Sequence, residues 1–181
     1  GLDPEELVSH LNRYFDHATN VLLTHGATID KYIGDAIMAF WGAPRRQEDH
    51  AERACRAALG LRKALDELNE RWAAEGHPAM HTRIGVHTGD VIVGNIGSDE
   101  RLSYTIIGDS VNLASRIEGI NKSYGTWVTT SGETYDRVKD EFVGRAVDVV
   151  AVKGRREGVL LYNLRCLREG APQTELALEQ E

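Results

Sequence analysis

Apolar residues recur every three or four positions between residues 4 and 25, at Leu7, Leu11, Phe15, Ala18 and Leu22. That period predicts a helix with one buried face. Asp3 is placed to cap it, Pro4 stands at the first helical position, and Gly26 marks its end. The period then changes: residues 27–33 and 36–42 are rich in β-branched and aromatic side chains and read as two short strands joined at Gly34-Asp35. Helical spacing returns from Glu48 to Glu75 through Ala51, Ala54, Cys55, Ala58, Leu61, Leu65, Leu68 and Trp72, until Gly76, His77 and Pro78 stop it.

The second half is more broken. His81 to Gly97 predicts two strands turning at Gly89-Asp90, residues 98–103 a polar loop, and Tyr104 to Gly108 a brief extended stretch. Asp109 or Ser110 caps a helix whose buried stripe is Val111, Leu113, Ala114 and Ile117 and whose end is Gly119. Thr126 to Thr130 reads as a strand and Gly132 to Val138 as a short helix. Phe142–Val152 and Val159–Cys166 form a closing pair of strands around a turn from Lys153 to Gly158. Polar residues beyond Arg168 predict a frayed tail. Several neighbouring strands are joined by short turns, which implies an α+β fold with a mostly antiparallel sheet and helices on one face, not a doubly wound parallel sheet.

Composition narrows the class. At 181 residues and 20.1 kDa the chain has the size of one domain able to bury its own core. Charged residues at 27% and apolar residues at 41% suit a globular protein, and a net charge of −7 argues against a dedicated nucleic-acid binder. Cys55 and Cys166 lie far apart among apolar neighbours and read as buried free thiols, which points to a reducing, cytoplasmic compartment. No apolar run reaches the ~20 residues of a membrane span, and no charged leader precedes an apolar stretch. The abrupt helical start leaves open that the chain is a fragment of something longer, with a sensor or membrane domain upstream.

The candidate chemistry lies in two segments. At the Gly34-Asp35 turn a carboxylate sits at a loop tip, and strand alternation puts Lys31, Ile33 and Asp35 on one side. Such a carboxylate suits Mg²⁺, which takes one or two carboxylates and completes its shell with water and phosphate oxygens. Lys31 can donate to N1 of adenine, whereas guanine carries a hydrogen there and would meet a donor with a donor. In the second segment Asn112 and Arg116 are four apart and share a helix face. The Arg116 guanidinium matches a phosphate oxygen, Asn112 can hold a ribose or water, and the Thr105 hydroxyl can accept from an exocyclic amine. Gly85-Val-His-Thr-Gly89 and Gly94-Asn-Ile-Gly97 are neither a P-loop nor a dinucleotide fingerprint, and the histidines show no zinc spacing.

Taken together, Glu6-Leu-Val, Leu11-Asn-Arg-Tyr-Phe15, Ile29-Asp-Lys-Tyr-Ile-Gly-Asp-Ala36, Gly94-Asn-Ile-Gly-Ser98 and Tyr104-Thr-Ile-Ile-Gly-Asp-Ser-Val-Asn-Leu-Ala-Ser-Arg116 resemble the catalytic domain of class III adenylate and guanylate cyclases. The likeness covers residues 1 to about 166. It implies a ferredoxin-like nucleotidyl cyclase fold over residues 1–168 with a flexible tail at 169–181, and a homodimer with shared sites at its interface. ATP would be converted to 3′,5′-cyclic AMP and pyrophosphate by in-line attack of the ribose 3′ oxygen, with two Mg²⁺ or Mn²⁺ ions per site. The resemblance makes Asp35 a metal ligand, Lys31 and Thr105 the adenine-type base pair, Asn112 the ribose-orienting residue and Arg116 the transition-state residue. Lys153 would hold the terminal phosphates, with Arg101 sharing that task.

The sequence departs from that family at its start. A strand carrying Phe-x-Asp, which supplies the second metal-binding aspartate, is expected before Leu2 and is not in the 181 residues. The expectation is a chain nearly inactive by itself, with a strand-exchanged or otherwise altered dimer or a rearranged fold. The alternatives are a non-catalytic nucleotide-binding or dimerisation module of the same shape, and a guanylate cyclase.

Overall fold

The computed structural model describes residues 3–151 and 158–179, so Lys153 and most of the turn around it lie outside the described residues. The chain forms two compact units, Gly1–Thr82 and Arg83–Glu181.

The first unit holds helix α1 (Pro4–Thr24), strands β1 (Thr28–Ile33) and β2 (Ala36–Phe40), and helix α2 (His50–Glu75). Asp3 caps α1 as its position requires: its carboxylate accepts from the backbone N–H of Glu5 and Glu6 while the Glu6 side chain accepts from the Asp3 N–H. The helix buries His10, Tyr14, Ala18 and Leu22 and packs on α2. All eight apolar positions anticipated on α2 are buried, from Ala51 to Trp72. β1 and β2 pair antiparallel around Gly34-Asp35, as the sequence pattern anticipates.

The second unit contains β3 (Ile84–Val86), β4 (Ile92–Ser98), β5 (Arg101–Ile107), α3 (Asp109–Tyr124), β6 (Val128–Ser131), α4 (Gly132–Tyr135), β7 (Phe142–Val150), β8 (Val159–Leu167) and α5 (Gln173–Leu178). Four strands form a sheet in the order β3-β6-β8-β7, in which only β3 and β6 run parallel. The architecture is α+β with largely antiparallel pairing, as expected. Leu113 and Ile117 of α3 pack with Val159 and Leu161 of β8 in a buried cluster.

Four local expectations are corrected. The two strands between His81 and Gly97 do not pair with each other: β3 lies parallel to β6, whereas β4 forms a hairpin with β5. Residues 98–103 are accordingly no loop, because Ser98 pairs with Arg101 across a two-residue turn at Asp99 and Glu100. Alternation reveals that a segment is a strand but not its partner, which is a non-local choice. Gly119 does not end α3, which runs to Tyr124 and is closed by Gly125 in the left-handed region at φ +64. A solvent-facing glycine costs a helix ~1 kcal/mol. The added turn gains more, because Asn121 is fully buried in it. Its amide donates to the carbonyls of Ile84, Ile117 and Glu118, and its oxygen accepts from the Thr126 and Thr129 hydroxyls at 2.8 and 2.7 Å. The helix begins at Asp109 without a side-chain cap, Gly108 being its N-cap residue.

Beyond Arg168, where a frayed tail was anticipated, the polar residues form α5, held by two arginine forks. Arg165 donates twice to Glu175, each bond 2.8 Å, and Arg168 donates to Glu179 at 2.6 and 3.0 Å. The guanidinium bonds hold both carboxyls below their ordinary range. A depressed folded-state pKa contributes stability that is present above the unfolded value and lost as pH falls through the folded one. Amide exchange at residues 173–179 is therefore expected to accelerate as pH drops below about 4.3 while the β7–β8 amides stay protected. Exchange independent of pH in that window would show that the forks do not hold α5. The same pairs are part-exposed, so added salt weakens them.

Candidate functional site

Of the seven residues singled out, six are described, two in the first unit and four in the second. Lys31 stands on β1 opposite Met38, and its side chain is 46% exposed. Its neighbour Tyr32 turns toward α1, with its ring 4.5 Å from that of Phe15 and its hydroxyl 2.9 Å from Thr19 Oγ1. Strand alternation then gives Lys31 and Ile33 the other face, as the sequence implies. Asp35 lies just beyond, exposed in the turn, with Gly34 at φ +62. The field of Asp35 reaches α1: burial pushes the Tyr14 hydroxyl up, a hydrogen bond from Thr82 opposes this, and the Asp35 charge adds to the rise.

In the second unit, Arg101 opens β5 opposite Ser98 and is exposed, and Thr105 pairs with Gly94. Thr105 is the buried member of the set, at 5% exposure. Asn112 and Arg116 are both exposed on α3, one turn apart, so they share the face that their spacing implies. The opposite face is anchored. Besides the Leu113–Ile117 stripe and the Asn121 amide, Gly85 of β3 lies so close that a Cβ there would come within 2.3 Å of the Glu118 nitrogen. Tyr124 donates to Asp148 of β7 at the far end of the helix. α3 is therefore fastened at several points on the side away from Asn112 and Arg116.

Some of this was not legible in the sequence. Gly85 reads as strand punctuation, but it is a point of close approach between β3 and α3. Asp30 was passed over, yet its carboxylate is 1% exposed and stands 3.1 Å from Lys31 Nζ. The signal was available: an acid inside a strand of β-branched and aromatic residues has to be accounted for. The cysteines are free as expected. Cys55 is buried and pushed up to about 12 by desolvation, whereas Cys166 is only partly buried.

Among the described residues no three His, Cys, Asp or Glu side chains gather as a preformed cation cage. The exposed Asp35 still fits Mg²⁺ or Mn²⁺ brought with a polyphosphate, since such an ion needs only one or two protein carboxylates. The first unit thus presents an exposed carboxylate and a half-exposed ammonium, at Asp35 and Lys31, and the second, taken by itself, exposed guanidinium groups at Arg101 and Arg116 and an exposed amide at Asn112.

Comparison with known proteins follows the same line. Residues 2–165 match the family model described as the adenylate and guanylate cyclase catalytic domain. Adenylate cyclase 1 of Rhizobium meliloti (strain 1021) is 43% identical over 164 residues, which are 91% of this chain and 25% of that protein. Among solved structures, the adenylyl cyclase CyaB from P. aeruginosa superposes with a TM-score of 0.84 at 35% identity, covering 94% of this chain and 88% of that one. A guanylyl cyclase superposes with a TM-score of 0.82 at 37% identity, covering 93% and 85%.

Proposed function

This chain belongs to the adenylate and guanylate cyclase catalytic-domain family, and from that membership we propose that it forms 3′,5′-cyclic AMP and pyrophosphate from ATP in a homodimer. Its fold is shared by cyclases of both base specificities, so shape does not choose the purine. The choice rests on Lys31, whose ammonium sits half-exposed on β1 four residues before the Asp35 turn. An ammonium only donates, so it complements the N1 acceptor of adenine and opposes the N1–H of guanine. Thr105 accepts from the exocyclic amine.

Asn112 orients the ribose so that its 3′ oxygen lies in line with the α-phosphorus. Arg116 meets the charge that develops on the α-phosphate, with Arg101 and Lys153 on the terminal phosphates. Asp35 holds a divalent ion, which when bound would lower the pKa of the 3′ hydroxyl and neutralise phosphate charge. A second copy of the chain completes each site. Support for that partner comes from the β4–β5 hairpin, which leaves Ile92, Leu102, Tyr104 and Ile107 exposed, at 67%, 61%, 39% and 47%. The 181 residues contain one carboxylate of the required kind and no Phe-x-Asp, so by themselves they turn over slowly or not at all.

The test is cyclic nucleotide formation with Mg²⁺ or Mn²⁺, from ATP and GTP in competition, by the chain alone and by the chain preceded by a Phe-x-Asp strand. ATP is expected to be preferred. Lys31→Met is expected to cut that preference at least tenfold, on the order of one charge-assisted hydrogen bond. Nucleotide binding without product in both assemblies would instead favour a non-catalytic module, and preference for GTP would reverse the base assignment.

A further inference from the structure

The strand that carries Lys31 is irregular at one place. β1 pairs Ile29 with Ala39 and then Lys31 with Met38, so Asp30 is an extra residue opposite nothing on β2. In a regular strand successive side chains leave on opposite faces, and an acid at 30 would point away from a lysine at 31. A bulge re-aims the side chains around it. Here it brings the carboxylate of residue 30 to 3.1 Å from the ammonium of residue 31, with the acid 1% exposed and the lysine 46% exposed.

The asymmetry of that pair is informative. An exposed ion pair is a weak, interchangeable contact. A carboxylate taken out of water beside an ammonium is costly to bury and strongly favours keeping its partner in place. Lysine needs such help, because its ammonium sits on four flexible carbons and its three N–H groups have no preferred direction.

Resting on the proposed role of Lys31 as the donor to adenine, we infer that Asp30 is the positioning residue for base selection. Its buried carboxylate, swung over by the β-bulge, anchors the Lys31 ammonium and keeps it in place before the purine arrives. The binding of adenine then orders less side chain at the moment of contact.

Titration calorimetry of the full chain with ATP, GTP and inorganic tripolyphosphate tests this, because tripolyphosphate has no base. Asp30→Asn keeps the volume and removes the charge. It is expected to lower the ATP-over-GTP preference about tenfold, while tripolyphosphate affinity is unchanged. On a Lys31→Met background the same change is expected to leave the preference where Lys31→Met put it, since the two act through one contact. A preference that disappears in Lys31→Met but survives in Asp30→Asn overturns this inference alone. An unaltered preference in Lys31→Met, or none in the parent chain, removes the role of Lys31 and this inference with it. Equal losses for ATP, GTP and tripolyphosphate in Asp30→Asn reduce Asp30 to a structural part and also overturn it. If Asp30→Asn does not fold, Asp30→Glu takes its place with the charge one methylene farther out, and an undiminished preference there sinks the proposal.

Discussion

Replacing Arg116 by alanine is expected to lower the turnover of ATP by a factor on the order of 10²–10³ and to leave the fold intact. The size follows from the role proposed for the guanidinium. A preorganised donor aimed at charge that appears only in the transition state contributes ~3–4 kcal/mol to the barrier. Such a contact lowers kcat and kcat/KM together and changes KM little. The preserved fold follows from position: Arg116 lies on the exposed side of α3, away from the Leu113–Ile117 stripe, so truncation opens no cavity. Surface substitutions of this kind stay within about 0.5 kcal/mol of parental stability. The measurement is steady-state cyclic AMP formation in the assembly that carries both carboxylates, beside urea denaturation of the same variant. Near-parental kcat would remove Arg116 from the reaction; a loss of activity matched by a loss of stability would assign it to the fold.

Gly85→Ala is expected to destabilise the second unit by about 3 kcal/mol, the upper end of ordinary overpacking. An added Cβ would stand 2.3 Å from the Glu118 nitrogen, 2.5 Å from the Ala114 carbonyl oxygen and 2.9 Å from the Glu118 Cα. All three are backbone atoms of one helix, so no side chain can rotate away, and α3 as a whole must move off β3. That movement stretches the bond from the Asn121 amide to the Ile84 carbonyl and loosens the helix that carries Asn112 and Arg116. Two measurements check it, a fall in the denaturation midpoint and a loss of amide protection in α3. Stability within experimental error of the parent would mean that β3 and α3 are not in such close contact. Gly119→Ala is a built-in contrast, since nothing lies within 4 Å of a Cβ there and it occupies the interior of the same helix.

Both variants bear on how α3 is held, and the sequence was uneven in showing it. The exposed face was legible, because Asn112 and Arg116 at a spacing of four must point the same way on any helix. The length was not. Gly119 resembled a stop, and the Asn121 amide that overrides it finds its partners on Ile84, Thr126 and Thr129, which no local pattern connects. Lys31 and Asp35 show the same division. Their place at the end of one strand and in the following turn came directly from the pattern, whereas the bulge that turns Asp30 onto Lys31 depends on register with β2. α5 was read as loose because its residues are polar, but its polar residues are what hold it, through Arg165 and Arg168 on β8 and just beyond it.

Amino-acid order alone determined the helices α1 and α2, the start of α1 at Asp3 and Pro4, the end of α2 at Gly76, and the shared helix face of Asn112 and Arg116. These depend on periodicity, capping and side-chain chemistry, which act within a turn or two of the chain. Tertiary structure alone decided that β3 joins β6 rather than β4, that α3 continues to Tyr124, and that the buried acid at 30 is the neighbour of Lys31. Each of those outcomes is set by hydrogen bonds, close packing or charge pairing across elements, where the free energy belongs to the encounter and not to either segment by itself.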